Sequence, residues 1–404
     1  MTEIKKFFVM WSSQAFSLIG SAVVEFALAW YLTRETGRAT ILATAVILAL
    51  IPSIVLGPFI GPFIDRWDRK KIMIFSDLFV TLVTVGLMFL FLTKQIEIWH
   101  IYAAMVLRAI GQACQFPAMM ASVSIIVPDK DLARANGLNE TLNGIINIGA
   151  PPLGAFLMEM LPMQRVLAVD IVTAAIAIIC LLFITIPRPA RTTLAAKANV
   201  IGDMLQSFRY VWSRRGLALL LGLVGLYGLF TTPAFTLLPI LVNNQLGGDV
   251  LKLGWLNSCF GVGMILGGLL LGIWGGFKKR ILTSTLGLVI IGISMVGLGF
   301  TSERLYYFAL SVNLLLGAGI AIANAPFWAI MNSVVAKDMQ GRVFSLLSSI
   351  NGVMVPLGLA IAGPLADKIG VRWIFIICGA GFMIITPLQL SSRHIMNVES
   401  LSAE

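Results

Sequence analysis

Apolar runs of 18 to 25 residues follow one another along most of the chain, broken by short clusters of charged and turn-forming residues. Each run is long enough to cross a bilayer as a helix. Taken between the breaks, they predict twelve helices. The first six are 7–33, 41–64, 72–93, 98–120, 136–160 and 165–187; after a longer break come 217–243, 251–275, 281–300, 304–328, 341–366 and 371–392. A dozen such helices buried on every side would need more covering surface than 404 residues provide, so length alone excludes a soluble core. The predicted class is an all-α polytopic membrane protein.

Charge sharpens this picture. Charged residues make up 12% of the chain against 58% hydrophobic, about half the charged share of a soluble protein. The net charge of +10 sits in loops between apolar runs, which calls for no nucleic acid partner. With the N-terminus placed in the cytoplasm, the inner loops and tails hold 20 Lys and Arg and the outer loops eight. The positive-inside rule therefore predicts a bacterial inner-membrane protein with both termini cytoplasmic. The N-terminal MTEIKKFF leads into the first apolar run with no small-residue cleavage site, which reads as an uncleaved helix. Cys114, Cys180, Cys259 and Cys378 stand singly in different runs; that spacing suits packing and suggests no metal or disulfide.

The longest connection, residues 188–216, opens with Pro-Arg-Pro-Ala-Arg from Pro187 and includes the weakly amphipathic DMLQSFRYVW. It reads as a cytoplasmic linker with a short surface helix, between an N-terminal six-helix bundle (1–187) and a C-terminal one (217–404). The two sides resemble each other. Arg134, Asn143-Gly144 and Pro152-Leu153-Gly154 on one side answer to Arg342, Asn351-Gly352 and Pro356-Leu357-Gly358 on the other, with nine residues from Arg to Asn in both. Gly111 and Gly319 share the offset of 208, and Pro117 and Pro326 lie one residue from it. A parallel six-plus-six repeat is a mark of one large class of secondary transporters.

Between the second and third predicted helices lies Gly61-Pro-Phe-Ile-Asp-Arg-Trp-Asp-Arg-Lys-Lys71, with six charges in its last seven residues. A translocation-stopping anchor explains the basic residues but not the interleaved Asp65 and Asp68. This loop resembles that of the major facilitator superfamily, close to Gly-x-x-x-Asp-Arg-x-Gly-Arg-Lys. Gly61, Asp65, Arg66, Arg69 and Lys70 are in register, with Asp68 where the family has glycine. The resemblance implies a cytoplasmic gate made by these residues, whose charged pairs are worth roughly a kcal/mol each and can be remade during transport.

Two ionisable residues stand deep in predicted helices. Glu25 lies about 12 Å short of the outer end of the first, and Arg108 about 15 Å in from the outer side of the fourth, at 1.5 Å per residue. Gln14, Ser17, Ser21 and Glu25 share one helix face, as do Arg108, Gly111, Gln112 and Gln115. Such stripes are expected to face the protein interior or a water-filled cavity. Asp77, Glu140 and Asp170 fall within a turn or two of predicted helix ends, where water or caps are expected to reach them. A Glu25–Arg108 pair that only fixes packing is one reading. The repeat places Leu316 opposite Arg108, and that asymmetry favours a functional role.

Arg108-Ala-Ile-Gly111-Gln112 is similar to the Arg-x-x-Gln-Gly element of the drug–proton antiporter branch of the superfamily, with the last two residues exchanged. Ala150-Pro151-Pro152-Leu153-Gly154 resembles that branch's Gly-Pro-x-x-Gly, a hinge on the fifth helix. With the charged loop, these stretches look most like the macrolide-efflux group. The resemblance implies export of macrolides or similar amphiphilic, cationic drugs in exchange for protons; relatives that carry siderophores or lysophospholipids keep those substrates open.

No GxxxxGK[ST] loop occurs, so an ion gradient, without a cofactor, is the expected energy source. Glu25 is the expected proton and cation site, with Arg108 tuning it. Substrate-cavity candidates are Gln14, Ser21, Gln112 and Gln115 on the stripes, Tyr227 and Thr231 on the seventh helix, and Asn313 and Asn324 on the tenth. The expected partners are a small amphiphilic molecule and the bilayer, with a monomer as working unit. A transporter-like sensor is the rival of a different class, although no output module is visible. An intramembrane enzyme is disfavoured, because His100 and His394 lie far apart with no nucleophile motif.

Overall fold

The computed structural model describes residues 3–128, 131–185, 209–337 and 339–400. Among these it is helical, with no strand. The first helices are α1 (Glu3–Thr36), α2 (Ala39–Arg66), α3 (Arg69–Leu92), α4 (Ile98–Ile126), α5 (Leu132–Met160) and α6 (Met163–Phe183). They are followed by α7 (Arg215–Thr236), α8 (Leu238–Gln245), α9 (Val250–Trp274), α10 (Arg280–Gly299), α11 (Tyr306–Val334), α12 (Gln340–Ile369) and α13 (Val371–Ser391). Ten of the described helices have the length and apolarity of a membrane span. Helices α4 and α5, at 29 residues each, are also long enough to cross.

Why these helices suit lipid is visible on α3. Phe75, Leu82 and Phe89, seven residues apart, are exposed, while Met73, Asp77, Val80, Thr84 and Leu87 are buried on the other side. An apolar outer face over a partly polar inner one reverses the soluble pattern, as a hydrocarbon solvent requires.

The seventh predicted span, 217–243, is two helices. Pro239 lacks the N–H that would bond back one turn, and the chain turns at Leu237 between α7 and α8. The amphipathic linker helix predicted around 203–212 falls mostly outside the described residues.

The chain forms two compact units, one of Met1–Thr36 with Ala45–Thr193, the other of Gly37–Thr44 with Leu194–Glu404. In the first, α1 packs on α5 and α6, and α3 on α4 and α6. In the second, α7 packs on α12 and α13, and α10 on α11 and α13. The tightest approach, α9 against α11, needs glycine: a Cβ on Gly263 would collide with the carbonyl of Leu314, and one on Gly317 with that of Phe260. Small residues let membrane helices meet backbone to backbone.

Candidate functional site

The polar face of α1 is turned inward and meets a carboxylate group at each step. Gln14 Nε2 donates to Asp77 Oδ2 at 2.9 Å and Ser17 Oγ to Asp77 Oδ1 at 3.2 Å. Gln115 Nε2 of α4 donates to Asp77 Oδ1 and, at 3.0 Å, to Gln14 Oε1. Next along the helix, Ser21 Oγ donates to Asp170 Oδ1 at 2.8 Å. Then comes Glu25, whose Oε1 accepts from Gln112 Nε2 at 2.5 Å.

Arg108 pairs with Asp170, not with Glu25. Its Nη1 lies 2.5 Å from Asp170 Oδ2, and both side chains are buried, at 2% and 1% exposure. Thr84 Oγ1 also donates to Asp170 Oδ2, at 2.9 Å, and Arg108 Nη2 donates to the Ser21 carbonyl at 3.3 Å. Burying either charge alone would be prohibitive. Together, these hydroxyls and the carbonyl satisfy both carboxylate oxygens and both terminal nitrogens of the guanidinium, while Arg108 Nε has no hydrogen-bond partner among the described residues.

This corrects the expectation that Asp77 and Asp170 reach water. Asp77 is 2% exposed. Helix α3 starts three residues earlier than predicted, at Arg69, which sets Asp77 more than two turns in. Asp170 lies about two turns into α6 and points at α1, α3 and α4. A signal was present: Asp77, Val80 and Thr84 lie opposite the lipid-facing Phe75, Leu82 and Phe89. Glu140 remains exposed, as expected.

Glu25 itself is exposed. It lines a cavity of about 350 Å³ between α2 and the α1–α4 pair, with Arg108 and Gln112 beside it and Val46, Ala49, Leu50 and Ser53 of α2 across from them. The rest of the wall is largely apolar. Of the other stripe residues named from the sequence, Gln14, Ser21 and Gln115 serve the buried carboxylates.

In the second unit, Tyr227, Thr231 and Asn324 line one cavity of about 140 Å³ together with Gln389 and Phe382. Tyr227 stacks on Phe382 with ring centroids 5.0 Å apart, and its hydroxyl donates to Gln389 Oε1 at 2.8 Å. Gln389 Nε2 in turn donates to Thr285 Oγ1 at 3.1 Å. Asn313 is buried elsewhere and donates to the Leu256 carbonyl at 2.6 Å, joining α11 to α9. Gln389, on the last long helix, was not singled out from the sequence because a lone amide near a helix end carries no pattern.

The family model for the Major Facilitator Superfamily matches residues 10–359. Macrolide efflux protein A of Streptococcus pyogenes is 31% identical over 374 residues, which covers 93% of this chain and 92% of that one. The protein of the same name from Enterococcus faecalis is 29% identical over 296 residues, 73% of this chain and 92% of that one. The chain belongs to the Major Facilitator Superfamily. It is a multi-pass membrane transporter of small molecules and not an enzyme. Its fold matches the crystal structure of a bacterial homologue of the iron transporter ferroportin, with a TM-score of 0.73 at 14% identity, over 99% of this chain and 100% of that one.

In this facilitator, the loop between α2 and α3 ties helix ends together. Gly61, Asp65 and Arg66 belong to α2, and the side chains of Asp65 and Arg66 lie outside the described residues. Asp68 is the N-cap of α3, its Oδ1 accepting from the amides of Lys70 at 3.1 Å and Lys71 at 3.4 Å. That gives the departure from the family's glycine a local job. Arg69 is buried, and its Nη1 donates to the Ala121 carbonyl near the end of α4. Lys70 Nζ donates to the carbonyls of Leu182 at 3.0 Å and Ile184 at 2.7 Å at the end of α6. At the end of α6, Lys70 meets carbonyls left free by the helix and the negative end of its dipole. On α5, Pro151 and Pro152 lie inside the helix, and a Cβ on Gly154 would come within 2.7 Å of the Phe26 ring, so α5 approaches α1 closely there.

Proposed function

We propose that this transporter exports amphiphilic cations, macrolides among them, in exchange for protons, with Glu25 as the coupling site. One observation carries the reading. Arg108 is committed to Asp170, whereas Glu25 faces the α1–α2–α4 cavity with the neutral Gln112 as its hydrogen-bond partner. Its charge is left for a cation to neutralise, and a proton and a cationic drug can compete for it. The names of the macrolide efflux relatives agree with this substrate class.

The rest of the reading follows the same lines. The excess of Lys and Arg in one set of loops supports cytoplasmic termini in a bacterial inner membrane. The two bundles act as the halves of an alternating-access machine, with the α2–α3 loop at its cytoplasmic gate and Pro151, Pro152 and Gly154 as the bending point of α5. The Tyr227, Thr231 and Asn324 cavity belongs to the substrate path on the second half. A monomer is the working unit.

The test uses inside-out vesicles made acidic inside, following uptake of erythromycin and other cationic amphiphiles. Wild type is expected to accumulate drug and Glu25→Gln to lose accumulation. No uptake by wild type across several such drugs would move the substrate to a siderophore or lysophospholipid. Unchanged uptake by Glu25→Gln would keep the transporter and remove Glu25 as the proton site.

A further inference from the structure

The first unit holds a second carboxylate that lies as deep as the Arg108–Asp170 pair but is treated differently. Asp77 is 2% exposed. Its side-chain partners among the described residues are Gln14, Ser17 and Gln115, two amides and a hydroxyl, with no cation in ion-pair range. A buried carboxylate in a membrane protein is stable when paired with a cation, as Asp170 is, or when it carries a proton. Neutral partners leave the second course open to Asp77.

Those partners also fit either state of the acid. An ionised carboxylate accepts from both glutamine amides and from Ser17. A half-turn of the Gln14 or Gln115 amide presents its Oε1 to an Asp77 O–H, so the same side chains hold the group with or without its proton. An arginine could not do this, because it only donates.

Position adds the rest. On α1, Gln14 and Ser17 serve Asp77, Ser21 serves Asp170, and Glu25 follows one turn on. On α3, Asp77 and Thr84 lie two turns apart on one face, and Thr84 donates to Asp170. The three acids therefore form one polar column inside the unit, reaching the cavity at Glu25. Arg108 of α4 and Asp170 of α6 are the charged groups that face the column between its ends. On α3 itself Arg69 lies two turns away, with its Nη1 on the Ala121 carbonyl.

We propose that Asp77 is a second proton-binding site, linked to Glu25 through the Arg108–Asp170 pair and its hydroxyls. Its carboxylate takes up a proton to become the acid and returns it, with no other bond changed. Asp77 is the inner store of the column and Glu25 its cavity end. The assignment rests on the antiport reading for its purpose, but its proton chemistry can be tested without a substrate.

Two measurements on the full-length protein decide it. The first is pH-difference infrared spectroscopy of wild type and Asp77→Asn in lipid, read at the carboxylic-acid carbonyl band. Wild type is expected to show a titrating band that Asp77→Asn lacks and Asp77→Glu restores; identical difference spectra would overturn the assignment. The second compares erythromycin counterflow, which needs no gradient, with pH-driven accumulation in proteoliposomes. Asp77→Asn is expected to keep counterflow while accumulation falls by about tenfold or more. Equal accumulation, or loss of both activities in folded protein, would reduce Asp77 to an architectural residue. If wild type moves no drug yet the infrared band disappears in Asp77→Asn, the proton site stands and the substrate reading falls.

Discussion

Arg108 and Asp170, 62 residues apart in sequence, meet in a buried ion pair of 2.5 Å at the centre of the first helical unit. Thr84 and Ser21 add hydrogen bonds to it from α3 and α1. The pair therefore joins four helices, and it frees Glu25 from the only deep cation of the unit's described helices.

Removing one member strands the other charge. Arg108→Gln or Asp170→Asn alone is expected to destabilise the protein by about 3–5 kcal/mol. The double substitution is expected to cost less than the two singles combined, because no bare charge remains. Thermal unfolding in detergent of the four proteins of this cycle checks it, and strict additivity would show that the pair is not coupled.

Glu25→Gln calls for the opposite outcome. The side chain is exposed to a cavity and has a neutral partner, so stability should change by no more than about 0.5 kcal/mol. Drug accumulation should still be lost. A large fall in melting temperature would mean that Glu25 serves the fold.

Helix contact between α9 and α11 depends on the lack of a side chain at Gly263, where the Leu314 backbone occupies the space a Cβ would need. Backbone cannot turn aside as a flexible side chain can. Gly263→Val is expected to force the helices apart and to lower the yield of folded protein sharply, whereas Gly268→Ala, which meets nothing within 4 Å, should be neutral. Size-exclusion profiles of the two variants make the comparison.

Asp68→Ala removes the side-chain cap of α3 and is expected to cost about 1 kcal/mol. Asp68→Asn, which keeps the acceptor oxygen, should recover most of it. Melting temperatures of both variants separate this local role from a gating role, which would show in transport rates without a change in stability.

Much of this protein could be read from one dimension. The span lengths, the helical class and the inward face shared by Gln14, Ser17, Ser21 and Glu25 all follow from hydropathy and a 3.6-residue period, which are properties of a single helix in lipid. The family's charged loop was equally legible, because its residues are contiguous. What one helix does not contain is the identity of its neighbours. Asp77 and Asp170 looked shallow because distance from a helix end is a sequence quantity, while burial depends on which helices close over that face. Arg108 and Glu25 looked like partners because each stood alone in its own span. The tertiary structure paired Arg108 with Asp170 and left Asp77 to amides and a hydroxyl, since a membrane interior tolerates a charge only where several helices bring matching groups to one point.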